Sequence, residues 1–246
     1  MEEDCLSSAE LTADNKRIIV ALDVATVGEA SNLLDQLDAD QCRVKVGKQL
    51  FTSCGPELVK KINDHGFDVF LDLKFHDIPN TVVGAVQAAA DLGVWMVNIH
   101  ASGGRAMMEA AANAIAVRGT GAPLLIGVTV LTSMAKEDLA EVGITDSPEE
   151  QVKRLALLSA DCGLDGIVCS AAETAMLREL TTTDFCLVTP GIRRAEDAAG
   201  DQKRIVGPAQ AIVNGSTYLV VGRPISQAES PLQSLHAFNS EVSSVL

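Results

Sequence analysis

The chain has 246 residues, 47% hydrophobic and only 3% aromatic, so it can bury a sizeable core that must be largely aliphatic and alanine-rich. A formal net charge of −14 disfavours binding to a nucleic-acid backbone or an anionic membrane, although a small anionic ligand needs only a local positive pocket. No apolar run approaches the ~20 residues of a membrane span, and the cysteines at 5, 42, 54, 162, 169 and 186 form no C-x-x-C pair, which leaves a metal cluster or a disulfide framework unsupported.

The chain opens on MEEDCLSSAE, acidic and without the basic and apolar regions of a signal peptide. Residues 1–15 read as a mobile extension. Scattered cysteines of this kind suit buried, reduced thiols in a cytoplasmic protein.

Apolar, β-branched runs follow at intervals: RIIVALDV (17–24), CRVKVG (42–47), DVFLDLK (68–74), WMVNIH (95–100), LLIGVTV (124–130), GIVCS (166–170), FCLVTP (185–190) and YLVVGR (218–223). Helix-like stretches lie between them, including GPELVKKINDHG, TVVGAVQAAADLG, GGRAMMEAAANAIA and SPEEQVKRLALLSADCG, and several end in Gly, a common helix stop. Near-continuous apolar strands alternating with helices predict a parallel sheet covered on both faces. Eight of them fit a single-domain (β/α)8 TIM barrel, whose usual length is ~250 residues. A doubly wound open sheet shows the same alternation, and counting strands does not exclude it. No linker rich in Pro, Gly or Ser divides the chain, so residues 16–246 read as one domain.

Polar side chains gather where a barrel would place its active site. Asp23, Lys45, Asp72, Lys74, His100 and Arg223 all fall at or near the C-terminal ends of strands, the functional face of this architecture. By alternation their neighbours Leu22, Val44, Val46, Leu71 and Leu73 face the helices, and the charges face the mouth. In VFLDLKFHDIPNTV (69–82), Asp72 and Lys74 share one face and Asp77 follows three residues later. Asp23, Lys45, Asp72, Lys74 and Asp77 are therefore candidates for an array of alternating charge, in which opposite charges ~4 Å apart attract by about 4 kcal/mol at an effective dielectric near 20. A fixed ammonium in such a pocket is a general acid or an electrostatic clamp; an ion-pair network that only closes the barrel mouth would use the same residues.

The remaining motifs are less pointed. His76 reads as a structural hydrogen-bonding residue, and His100 is left open. ASGGRA (101–106) reads as a helix cap. Cys169 has no evident His partner, so a thiol nucleophile is not expected. GDQKRI (200–205) and VVGRPI (220–225) follow strands seven and eight, where these barrels often bind phosphate. Gly222 permits close backbone approach, Arg223 can grip a phosphate bidentately, and Gln202 can add an amide donor. The long connection PGIRRAEDAAGDQKRI suits a ligand-closing lid, with a plain solvated loop as the alternative. No P-loop, G-x-G-x-x-G, H-E-x-x-H or nucleophile elbow is present.

The segments DLKFHDIPNTV, NIHASGG, GVTVLTSM, CGLDGIVCS, LVTPGIR, GDQ and YLVVGRPI resemble the bacterial-type orotidine 5′-phosphate decarboxylases, from about residue 17 to residue 231. The D-x-K-x-x-D element is shared with a wider decarboxylase superfamily; its combination with F-H-D-I-P-N-T, G-I-R and G-D-Q is what makes the resemblance specific. It implies decarboxylation of orotidine 5′-monophosphate to uridine 5′-monophosphate in de novo pyrimidine biosynthesis, without metal or cofactor. Lys74 would be the proton donor, flanked by Asp72 and by Asp77 from the partner of a homodimer with shared active sites. Ile78 and Thr81 would reach into the partner's site. Asp23 and Lys45 would contact the ribose hydroxyls or stay within the array. Thr132, with Ser133 as a weaker candidate, would lie against the pyrimidine, and Arg193, Gln202, Gly222 and Arg223 would hold the phosphate. The chain departs from the family pattern at Arg194, where Pro often follows G-I-R, at Val206-Gly207, where an apolar-Thr pair is usual, and at Thr217, where Asp is frequent. Two other readings fit part of the pattern: a metal-dependent sugar-phosphate decarboxylase or aldolase of the same superfamily, and a catalytically silent binder of phosphate ligands.

Overall fold

The computed structural model describes residues 16–195, 197 and 206–246, so the extension expected over residues 1–15 lies outside the described residues. Eight strands run in chain order: β1 (Ile18–Ala21), β2 (Arg43–Gly47), β3 (Val69–Phe75), β4 (Met96–His100), β5 (Leu124–Val128), β6 (Gly166–Val168), β7 (Cys186–Pro190) and β8 (Tyr218–Val221). Each pairs in parallel with the next, and β8 returns to pair with β1, Ile19 opposite Val220. The sheet is therefore a closed barrel, and the open-sheet alternative is excluded.

The described helices are α1 (Val27–Leu34), α2 (Lys48–Cys54), α3 (Pro56–Asp64), α4 (Pro79–Asp91), α5 (Arg105–Ala116), α6 (Lys136–Glu141), α7 (Pro148–Asp161), α8 (Thr174–Leu180), α9 (Pro208–Val213), α10 (Arg223–Ser226) and α11 (Pro231–Ser243). Their starts are written locally. Thr26 and Glu29 form a capping box on α1, and Ser147 accepts from the Glu150 N–H at 3.2 Å ahead of Pro148 in α7. Helix α4 begins at Pro79, two residues before the Thr81 start suggested by sequence, because proline's fixed φ suits the first helical position.

Alternation along the strands builds two cores. Ile18, Val20, Leu22, Val44, Val46, Val69, Leu71, Val97 and Ile99 point outward and pack under the helices. Ile19, Ala21, Phe70, Met96, Ile126, Cys186, Val188, Tyr218 and Val220 fill the barrel itself. At its N-terminal end the Arg43 guanidinium lies 4.0 Å from the Trp95 ring centroid and 5.3 Å from that of Tyr218, with the two rings edge-to-face at 5.0 Å. The interior is thus closed below, and its residues become polar toward the other rim.

No disulfide joins the described cysteines: Cys42, Cys162, Cys169 and Cys186 are buried thiols and Cys54 is half-buried. Burial pushes the thiols of Cys42 and Cys186 up to about 12, so they are protonated.

One contact shows how tightly the barrel is drawn. A Cβ added at Gly166 would stand 2.3 Å from the Cys186 carbonyl oxygen, a backbone atom that cannot swing aside. Gly166→Ala should lower stability by about 1–3 kcal/mol, measured as a lower urea midpoint at unchanged slope. Gly28→Ala in α1, where an added Cβ meets nothing within 4 Å, should leave the midpoint level or slightly raised.

Candidate active site at the mouth of the barrel

The interior rows of the first four strands end in polar groups. Ile19 and Ala21 lead to Asp23; Arg43 leads to Lys45; Phe70 leads to Asp72 and Lys74; Met96 leads to Asn98 and His100. The side chains that need solvation or partners therefore meet at one rim, where the strands' C-terminal ends open.

Asp72 is the centre of this meeting. Lys45 Nζ lies 3.2 Å from Asp72 Oδ2 and 3.5 Å from Asp23 Oδ1, and Lys74 Nζ donates to Asp72 Oδ1. Asn98 Nδ2 donates to the same Oδ1 at 2.7 Å. Burial is the largest influence on the Asp72 carboxyl and pushes it up. The attraction of Lys45 and Lys74, with the hydrogen bonds from Lys74 and Asn98, outweighs burial and holds it below the ordinary carboxylate value. The sequence-derived array is thus assembled from Asp23, Lys45, Asp72 and Lys74.

Lys74 carries an unusual backbone. Its φ of 54° lies in the left-handed region, and no other described non-glycine residue has a positive φ. The β3–β4 register shifts between Leu71 and Phe75, so the Lys74 N–H leaves the regular ladder. It donates instead to Asn98 Oδ1 at 2.7 Å. Asn98 is fully buried and was not among the residues singled out from sequence. The one available signal was a polar residue on the interior row of an otherwise apolar strand, MVNIH.

Asp77 does not join the array of its own chain. It is exposed, its Oδ1 accepts from the Ile78 N–H at 2.7 Å, and it forms no ion pair among the described residues. Ile78, 67% exposed, and Thr81, also exposed, stand beside it. His76 and His100 face each other with ring centroids 5.6 Å apart. Burial, then repulsion from His76, Lys48 and Lys74, pushes the His100 imidazole below its ordinary value against the pull of Asp72, which favours the neutral ring.

Of the other expected ligand groups, Thr132, Arg193, Gly222 and Arg223 follow the C-terminal ends of β5, β7 and β8. Thr132 and Ser133 form an exposed turn after β5. Gly222 follows β8 and lies against Asp23, so that an added Cβ would stand 3.5 Å from Asp23 Oδ2, and exposed Arg223 follows at the start of α10. Arg193 is buried, and its N–H donates to the Val206 carbonyl at 3.3 Å, tying together the two ends of the long connection. Gln202 lies outside the described residues. The Arg194 guanidinium lies 5.0 Å from the Phe238 ring centroid, and its Nη2 is 3.3 Å from Asp197 Oδ1, so this departure from the family pattern has packing partners. Thr217 accepts from the Leu187 N–H at 3.0 Å. Among the described residues no group of three His, Cys, Asp or Glu side chains could hold a metal ion.

The family model described as Orotidine 5′-phosphate decarboxylase / HUMPS family matches residues 16–238. A curated orotidine 5′-phosphate decarboxylase from Nitrosomonas europaea is 58% identical over 233 residues, spanning 95% of this chain and all of that protein. One from Aliivibrio fischeri strain MJ11 is 56% identical over 232 residues, spanning 94% of this chain and 99% of the relative. The crystal structure of orotidine 5′-phosphate decarboxylase from Lactobacillus acidophilus superposes with a TM-score of 0.83 at 37% identity, covering 92% of this chain and 99% of that one.

The charge balance at Asp72 sets a pH dependence. Asp72→Asn leaves two ammonium groups facing a neutral amide and should lower stability at pH 7 by about 3 kcal/mol. Because the folded carboxyl lies below its ordinary value of 3.8, its contribution is complete above the unfolded value and is lost as pH falls through the folded one. Urea unfolding of both proteins should therefore show a constant difference from pH 7 to pH 5 that shrinks only in the acid range below about 3.8. A difference that already fades near pH 6 would contradict this balance.

Proposed function

The chain belongs to the orotidine 5′-phosphate decarboxylase / HUMPS family, and from that membership we propose that it converts orotidine 5′-monophosphate to uridine 5′-monophosphate and carbon dioxide, with Lys74 as the proton donor. The observation that carries the proposal is a lysine in a left-handed backbone conformation whose ammonium is fixed on a buried carboxylate. The relatives at 54–58% identity bear the decarboxylase name, which supports that branch of the family over the sugar-phosphate one.

Loss of carbon dioxide from C6 leaves an electron pair in the plane of the pyrimidine, where it cannot delocalise into the ring π system. A fixed cation beside C6 is what this chemistry lacks. Lys74 supplies that charge and then its proton, and the carboxylate of Asp72 keeps the ammonium in place. Asp23 and Lys45 face the ribose hydroxyls, and Thr132 lies against the base. Arg193, Gln202, Gly222 and Arg223 hold the phosphate, and these remote contacts drive closure of the connection after β7. The electron pair passes from the carboxylate bond to C6 and then to a proton, so the reaction needs no electron sink beyond the pocket.

The second element of the proposal is a homodimer with shared sites. Asp77, Ile78 and Thr81 are exposed on one segment, and the Asp77 carboxylate makes no ion pair with its own Lys74 among the described residues. That placement supports a partner subunit receiving Asp77 across a two-fold axis. No described helix is long and apolar enough to cross a membrane.

Exhaustive chelation should leave the loss of substrate absorbance unchanged, because the carboxylates are interleaved with lysines that compete with a cation. A strict Mg²⁺ requirement would move the protein to the sugar-phosphate branch. Lys74→Ala and Asp77→Ala should each be nearly inactive. Mixed under subunit exchange, they should recover about a quarter of wild-type activity, since half of the dimers are mixed and half of their sites are intact. A mixture as inactive as its parents, despite proven exchange, would return Asp77 to its own chain's site.

A further inference from the structure

The Lys74 backbone and the Asp72 carboxylate share one partner, and it is uncharged. Asn98 Oδ1 accepts from the Lys74 N–H at 2.7 Å while Nδ2 donates to Asp72 Oδ1 at 2.7 Å. The same Asp72 oxygen accepts the Lys74 ammonium. Backbone, ammonium, carboxylate and amide therefore close a ring, and its geometry admits few alternatives. An acceptor must face the N–H, a donor must face the carboxylate, and a planar group must hold both. Aspartate has no donor for Asp72, and leucine would leave both groups without their partner in a fully buried position. Strand β4 supplies the rigidity: Val97 and Ile99 anchor it in the outer core, and Met96 anchors it in the barrel interior.

The register shift in β3 makes the ring necessary. Where the ladder breaks between Leu71 and Phe75, the Lys74 N–H needs a side-chain acceptor, and a non-glycine residue at φ 54° needs something to hold it there. One amide answers both needs. We propose that Asn98 is the positioning residue of the site, holding Lys74 in its left-handed conformation and aligning its ammonium with Asp72. This rests on the reading of Lys74 as the proton donor. The groups facing Asp72 are Lys45 from β2, Lys74 from β3 and Asn98 from β4, with Asp23 from the end of β1 across Lys45 and His100 farther along β4.

The test uses the full-length protein with Asn98→Ala, which removes both bonds, and the near-isosteric Asn98→Asp, which keeps the acceptor and reverses the donor. Three quantities are read in each: kcat with orotidine 5′-monophosphate, the Kd of uridine 5′-monophosphate, and the titration of the Asp72 carboxyl by carbon-detected NMR. In both variants kcat should fall by about 10- to 100-fold, the usual loss when an orienting partner is removed, with the product Kd held within roughly threefold. The Asp72 titration should move upward in both, since a bond favouring its charged form is gone. A kcat within threefold of wild type overturns the proposal, as does an unmoved Asp72 titration or a parallel loss of kcat and product affinity. Failure of both variants to fold also overturns it, because Asn98 would then be a folding residue first. Wild-type protein inactive on orotidine 5′-monophosphate would sink the functional reading instead; the Asp72 titration alone would then decide whether Asn98 governs that carboxylate.

Discussion

A carboxylate in the upper layer of a closed barrel is unstable by itself, and the neighbourhood of Asp72 is organised around that instability. Burial drives the group toward its neutral form, and two lysines and an amide reverse the outcome. The dependence is mutual. Lys45 and Lys74 are themselves partly enclosed, and without the carboxylate each would be a cation short of solvent and facing another cation. Each of the three charges is stabilised in this place by the others.

The array in turn depends on how the barrel is layered. Strand alternation delivers one interior side chain every second residue, and the interior passes from Phe70, Met96 and Ala21 to Asp72, Asn98 and Asp23 within a single step. The apolar layer beneath denies water access from below, while Arg43, Trp95 and Tyr218 seal the far end. Charge is thus confined to the rim, where a ligand can approach from one side only. The outer core does the opposite work: Leu71 belongs to it and Leu73 packs against it, which fixes β3 so that Asp72 between them points inward.

Regularity ends where the chemistry is proposed to begin. The register shift after Leu71 and the left-handed Lys74 mark the only described place where a non-glycine residue is held in that conformation. Such a geometry persists when its surroundings over-determine it, and here the Asn98 amide and the Asp72 carboxylate do so from two sides. Beyond it the chain turns outward at Asp77, and Pro79 starts α4 at once. That abrupt exit leaves Ile78 two-thirds exposed beside an acid with no ion pair among the described residues, and this is the segment assigned to the proposed partner contact.

The sequence by itself determined the eight strands, because strands buried on both faces must be continuously apolar, and it determined which of their residues face the mouth, because alternation is a property of the chain alone. Asp23, Lys45, Asp72 and Lys74 were legible for that reason, and the exposed Asp77–Thr81 segment was legible as a motif. Closure of the sheet was not, since a strand carries the same pattern in an open sheet as in a barrel, and the β8–β1 pairing joins residues about two hundred positions apart. Asn98 was also hidden: a single uncharged amide in MVNIH has no local signature, and its importance comes from a break in the ladder of the adjacent strand. The conformation of Lys74 was likewise decided only by the tertiary structure, because local preference disfavours a left-handed lysine and only contacts brought together by folding can hold it there.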